Sequence, residues 1–463
     1  MNISTTSIYE PQADRLGMLH RAIGIALLAV LMVFLSVYVS QVEPKTAMFI
    51  AVFCVLIGGK RLLSSTMWPI LALVGYGAML NIFFPGPKPD FGTLLAHPLF
   101  LLDCVLLCAL VLGGQSVGRQ YALMLGILII SVIGAVGDVR GNDMTALLPF
   151  ELPDDAVVNV IILQQGDVVR IRGFFTEAGV LCAVSIGVAT MLALGAIVLI
   201  NSRACLKVAW IGLIGALTIG GTILCIAVTK SGFVMIGGCC LGFILVLLCS
   251  RNPRCRFLAV TIFATLIIGG GLFMLVGPPT LTSYLRGEFM AAANPMDMTP
   301  DVAGSHTGTV TRYKCWALAF ASIRSYPFGV GAYGLGSVIQ NGGGPGPSRE
   351  MRYFFSRDNF GLKNALANLI AQNGIVGLGL LGYWIQVAFI RPVRHYLADG
   401  STGNTLIAGL YGASALSCLV FLFSCELYPS FAFMLVMKFH ADAIAQACTR
   451  EPRRDVESIE LIG

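Results

Sequence analysis

The sequence predicts an all-α polytopic membrane protein, and three observations carry that prediction. Mean hydropathy is +0.82. Charged residues make up only 12% of the chain, against about 25% in a soluble domain. Apolar stretches of spanning length recur from near the start of the chain to near its end, so residues 1–463 read as one transmembrane domain. At about 20 apolar residues per crossing, this composition excludes a conventional water-soluble enzyme. The 53 glycines suit closely packed membrane helices.

Taken in order, the predicted spans are 22–40, 46–59, 66–84, 98–114, 121–137, 178–200, 208–228, 231–249, 257–277, 364–390, 404–424 and 429–447, about twelve in all. The first follows a polar leader with no small-residue cleavage pattern behind it, so it is expected to stay as a span. The second is short and ends in Gly58, Gly59 and Lys60, which makes it the least secure crossing. The fourteen cysteines mostly sit inside these runs, as at Cys108, Cys182, Cys239, Cys240 and Cys418, with no CxxC pair. They read as small hydrophobes.

With the N-terminus inside, fifteen cations fall in cytoplasmic segments, among them Arg15, Lys60, Arg119, Lys207, Arg254, Arg391 and Arg453. Only Lys45, Lys88 and Lys230 fall in short outside loops. That bias sets both termini in the cytoplasm.

Two outside loops are long, 138–177 and 278–363, the second about 85 residues. Together they carry eleven cations, including Arg170, Arg172, Arg286, Arg312, Lys314 and Lys363. So much arginine outside the membrane calls for an anionic partner. Within the larger loop, Arg312, Trp316, Ala319 and Ile323 share one helical face. This predicts a helix near 310–325, ended by Ser325-Tyr326-Pro327 and lying along the membrane surface. The following Gly329, Gly331, Gly334 and Gly336, then Gly342 to Pro347, read as mobile loop, either a cover or a plain connector.

Several polar groups stand at or inside spans. Glu177 precedes the sixth span, either as a functional carboxylate or as a charge favoured by the helix dipole. Arg170 and Arg172 beside it bind an anion or reach lipid headgroups. Lys230-Ser231 breaks one long apolar run, so an ammonium sits at the bilayer edge, where charge is costly. Asn364, Asn368 and Gln372 make a polar stripe that must face the bundle interior, as interhelical glue or as a cavity wall. Lys438 and Asp442, four apart, read as an internal ion pair, and Asp103 as a lone buried carboxylate. A proton relay is the competing use of these three.

In order, Arg172-Gly173-x-Phe175-x-Glu177-Ala178, the Lys230-Ser231 turn, Arg312-x3-Trp316, Pro327-Phe328-Gly329-Val330-Gly331 and Lys363-Asn364-x7-Gln372-x-Gly374-x2-Gly377 resemble the O-antigen polymerase and O-antigen ligase superfamily. The likeness covers about 172–377. It implies a GT-C-like, metal-independent glycosyltransferase without cofactors in the bacterial inner membrane, working at the periplasmic face. The implied partners are an undecaprenyl-diphosphate-linked glycan donor, a glycan or lipid A core acceptor, the lipid bilayer and a chain-length regulator, with no nucleic acid.

Carried onto this chain, the resemblance gives the donor diphosphate to Arg170, Arg172, Lys230 and Arg312, and other substrate contacts to Trp316, Asn364 and Asn368. Lys363 stands where the family usually has histidine. A protonated lysine is a poor base, so Lys363 is expected to act by its charge and Glu177 as general base, with His306 as runner-up. Cations aimed at a departing diphosphate can supply most of the catalysis. No Asp-x-Asp pair lies in an outside loop, and Asp154-Asp155 is the nearest to one. The Lys-Asn pair favours polymerase over ligase. A lipid-linked oligosaccharide flippase or other transporter is the alternative of another class, and its mark would be internal symmetry.

Overall fold

The computed structural model describes residues 66–83, 91–140, 178–226, 229–277, 307–332, 364–425 and 427–450, with Val52, Leu56, Phe175, Thr282, Ser283, Arg286 and Gly334. Every regular element among them is helical, and eight helices are long and apolar enough to cross a membrane. The chain is an all-α polytopic membrane protein.

The helices are α1 (Trp68–Phe83), α2 (Phe91–Leu112), α3 (Val117–Val139), α4 (Ala178–Asn201), α5 (Leu206–Ile226), α6 (Lys230–Cys249), α7 (Pro253–Val276), α8 (Thr307–Ser325), α9 (Ala365–Ile385), α10 (Arg391–Ala398), α11 (Thr402–Ser424) and α12 (Leu427–Arg450). A π-helical turn, Gln386–Ile390, joins α9 to α10. The eight of spanning length are α3 to α7, α9 with its extension through α10, α11 and α12. Helices α1 and α2 occupy the third and fourth predicted spans, but α1 has only 16 residues and α2 carries Pro98 inside it. The first two predicted spans lie outside the described residues, apart from Val52 and Leu56.

Local sequence sets several ends. Pro253 opens α7 behind Asn252, whose side chain accepts the Arg254 N–H at 3.0 Å, a proline-at-N1 start with a capping amide. Ser401 caps α11 through the Asn404 N–H at 3.2 Å. Outward-facing residues of α7, among them Phe257, Phe263, Ile267 and Leu272, are exposed. Such a surface belongs in lipid, since water would not tolerate so continuous an apolar face.

At the centre α6 and α11 run antiparallel and nearly backbone to backbone. A Cβ placed on Gly242 would lie 2.4 Å from the Gly412 carbonyl oxygen, and one on Gly238 would lie 2.7 Å from Val420. Helix α4 packs against both, with α5 and then α3 beyond it. On another side α12 joins α11 to α2, while α1 joins α2 to α9. Lys438 and Asp442 form the predicted ion pair, and the Tyr411 hydroxyl donates to the second carboxylate oxygen. Asp103 is the predicted buried carboxylate, and its Oδ1 has no hydrogen-bond partner.

Candidate functional site

One end of the bundle gathers the motif segments around the C-terminal end of α11. Asn364 precedes α9 and caps it, its Oδ1 accepting the Ala367 N–H at 2.9 Å, while its Nδ2 donates to the Phe423 carbonyl of α11 at 2.8 Å. The Ala365 N–H donates to the Cys425 carbonyl at 2.8 Å. Because α6 is antiparallel to α11, its first residues Lys230 and Ser231 stand near the level where α11 ends. Ser231 in turn meets the start of α4, where a Cβ on Gly179 would lie 3.2 Å from its Oγ.

Trp316 of α8 stacks on Phe423 with ring centroids 5.2 Å apart. Eleven residues on from Trp316, the Pro327 carbonyl accepts the Ile375 N–H of α9 at 2.8 Å. Asn364, held to Phe423, and Ile375 are also eleven residues apart. The two helices therefore run side by side in the same direction, and α8 enters the bundle by about 15 Å over ten residues. The helix predicted near 310–325 is present as α8, and its described part packs along α9. Its buried face is Cys315, Leu318, Ala319 and Ser322, turned by less than one residue step from the predicted Arg312, Trp316, Ala319, Ile323 face.

Behind α8 the chain turns back between α1 and α9. The Tyr76 hydroxyl donates to the Phe328 carbonyl at 2.6 Å, and the Ala332 N–H donates to Asn81 Oδ1 at 2.7 Å. Gly329 and Gly331 hold φ of +88° and +72°, and a Cβ on Gly329 would strike the Gln372 carbonyl oxygen at 2.3 Å. Gly329, Val330, Gly331, Ala332 and Gly334 are all buried, so this part of the glycine-rich stretch is packed against the bundle.

Helix α9 gives way to admit the segment. Gly374 has φ 60° and ψ −153° inside the helix, a conformation restricted to glycine, and its missing Cβ would lie 2.2 Å from the Pro327 carbonyl oxygen. The predicted stripe does face inward: Asn364, Asn368 and Gln372 are buried, and so is Asn373. Asn364 is interhelical glue. Asn368 Oδ1 and the neighbouring helix's Ser322 Oγ are buried without a partner.

Of the predicted site residues, Arg170, Arg172, Glu177, Lys363 and His306 lie outside the described residues. Only the helical backbone is described for Lys230 and Arg312. Phe175, between Arg172 and Glu177, is buried. The structure adds Tyr76, Asn81 and Ser322, none of which the sequence reading selected, and shows what Gly374 of the quoted motif does to the backbone. Tyr76 and Asn81 carried a usable signal, as polar groups inside a short apolar run. Among the described residues no three His, Cys, Asp or Glu side chains gather as a metal site. Compared with known proteins, the chain matches no family model and no curated sequence.

Proposed function

We propose that this chain is a membrane glycosyltransferase that polymerises undecaprenyl-diphosphate-linked oligosaccharide repeat units at the periplasmic face of the bacterial inner membrane. One observation carries the reading. Segments far apart in sequence, at the starts of α4, α6 and α9 and along α8, meet around the end of α11, and each belongs to a motif of the resemblance.

In this reading a sugar hydroxyl of one repeat attacks the anomeric carbon of another, and the lipid diphosphate leaves with growing negative charge. Arg170, Arg172, Lys230 and Arg312 bind that diphosphate, and Lys363 adds charge beside it. Glu177 takes the proton of the attacking hydroxyl. Trp316 and Asn368 line the sugar path, and no metal or cofactor takes part. The reading includes about twelve spans, a GT-C-like arrangement and cytoplasmic termini.

The test is incubation of the purified protein with a synthetic undecaprenyl-diphosphate repeat unit. A ladder of products, formed also in EDTA, is the expected result; an unchanged substrate overturns the proposal. Broken helices with irregular backbone at membrane depth also serve transporters, so the break at Gly374 favours a second reading, a lipid-linked oligosaccharide flippase. Movement of the same substrate across a liposome bilayer without new glycosidic bonds would select it. Transfer of one glycan to lipid A core, without a ladder, would select an O-antigen ligase.

A further inference from the structure

Helices α4, α6 and α9 begin at the end of the bundle where α11 stops, and they differ in how their first backbone N–H groups are met. Every α-helix leaves those groups without intrahelical acceptors. At α9 the protein supplies them: Asn364 Oδ1 accepts the Ala367 N–H, and the Cys425 carbonyl accepts that of Ala365. Helix α6 starts differently. Thr229 holds its N-cap position, yet the Thr229 side chain makes no bond to the helix, and its buried hydroxyl lies beside the Cys182 sulfur of α4, a weak acceptor. The Gly232 N–H bonds back to the Thr229 carbonyl at 3.2 Å. That leaves the N–H groups of Lys230 and Ser231 directed out of the helix end.

Ser231 is 5% exposed, and no described residue bonds to its hydroxyl. Its Oγ points at the start of α4, where a Cβ on Gly179 would lie 3.2 Å away. Helix α4 runs in the same direction as α6, since Gly187 meets Met235 farther along. Parallel neighbours set the positive ends of two helix dipoles side by side, and neither helix has an acidic residue in its first turn. Glu177 adjoins α4 in sequence, but the chain then has no Asp or Glu before Glu288. A buried hydroxyl without a partner, main-chain donors without acceptors and adjacent positive helix ends call for an anion from outside the chain.

We propose that the start of α6, walled on one side by the start of α4, is a phosphate cradle in which the Lys230 and Ser231 N–H groups and the Ser231 hydroxyl hold the diphosphate of a lipid-linked ligand. The choice of a lipid diphosphate rests on the glycosyltransferase reading; the cradle itself rests on packing. Cations attract the group, while these neutral donors fix where its oxygens sit.

The probe is inorganic diphosphate, added to the full-length protein in phosphatidylcholine nanodiscs, with thermal unfolding as the readout. Diphosphate should raise the unfolding temperature, and sodium chloride of equal ionic strength should not. Farnesyl diphosphate, whose chain enters the bilayer, should act at lower concentration. Ser231→Ala should leave the unliganded protein as stable as wild type, because the hydroxyl it removes is unpaired, and should weaken diphosphate binding roughly tenfold, the equivalent of one hydrogen bond to a charged group. Thr229→Asp brings a carboxylate to the cap of α6. It should raise the unfolding temperature without ligand and abolish the response to diphosphate. No response in wild type, or the same response in wild type and both variants, overturns the cradle. Equal potency of the two diphosphates overturns the lipid-linked assignment. Since no glycosidic bond forms in this test, a protein that responds to diphosphate but builds no ladder overturns the polymerase reading alone. A ladder made by a protein whose diphosphate response ignores Ser231→Ala and Thr229→Asp overturns the cradle alone.

Discussion

Where α6 meets α11, backbone lies against backbone and almost nothing polar is left over; where α8 and its return segment meet α9, an irregular chain is threaded through a broken helix and two polar atoms go unpaired. The first contact relies on Gly238, Gly242, Gly409 and Gly412, whose missing side chains let the helices approach. The second relies on Gly329, Gly331 and Gly374, whose freedom at positive φ lets the backbone turn. Small residues serve closeness in one place and conformation in the other. A Cβ would collide with a neighbouring segment in both regions, but only in the second would it also strain a backbone held at positive φ.

Four measurements press on this comparison, in falling order of expected effect. Gly242→Val should abolish folding, since its first carbon meets a main-chain oxygen that has nowhere to go. No monodisperse peak is expected in detergent size-exclusion, and a stable one would deny the rigidity of the α6–α11 contact. Next, Lys438→Met leaves Asp442 with only the Tyr411 hydroxyl. Removing one partner of a buried pair costs about 3–5 kcal/mol, and the lower end applies because the Asp442 side chain is 26% exposed. Thermal unfolding should show the loss, and adding Asp442→Leu should recover much of it.

The other two act on the threaded region. Gly374→Ala imposes about 1–3 kcal/mol of backbone strain as well as the clash with Pro327, and α9 can relieve both by straightening and expelling the segment. Trypsin should then cut faster after Arg324, which is exposed, while the rest of the bundle resists; an unchanged digestion rate would mean that the break is incidental. Tyr76→Phe removes one hydrogen bond to the Phe328 carbonyl, worth about 0.6 and at most about 1.7 kcal/mol between membrane helices. Its thermal shift should be the smallest of the four. A loss as large as that of Lys438→Met would put the threaded segment on an equal footing with the scaffold.

Much of the scaffold was legible because its periodicity and its chemistry agree. The predicted 178–200, 231–249 and 404–424 match helices 178–201, 230–249 and 402–424, since each ends at polar or turn-forming residues such as Asn201-Ser202, Ser250 and Ser401. The ion pair at Lys438 and Asp442 followed from helical spacing alone. The inward stripe of Asn364, Asn368 and Gln372 followed from the cost of polar groups in lipid. The site was legible only in part. Trp316 and the helix around it are legible from spacing, but the stacking of Trp316 on Phe423 and the packing of α8 along α9 are not, because the partners lie more than forty residues away in the chain.

What the sequence alone determined is the class of the fold, the position of most helices and which polar residues must turn inward, because lipid penalises each exposed polar group locally and regardless of its neighbours. What only the tertiary structure decided is the break at Gly374 and the insertion of Tyr326–Ala332. In the sequence Gly374 is one more glycine in an apolar run of membrane helix, where glycine is common. Its unusual backbone arises from a carbonyl 47 residues upstream, at Pro327, that claims the Ile375 N–H. A hydrogen bond between distant segments leaves no periodic trace in either, so neither segment announces it alone.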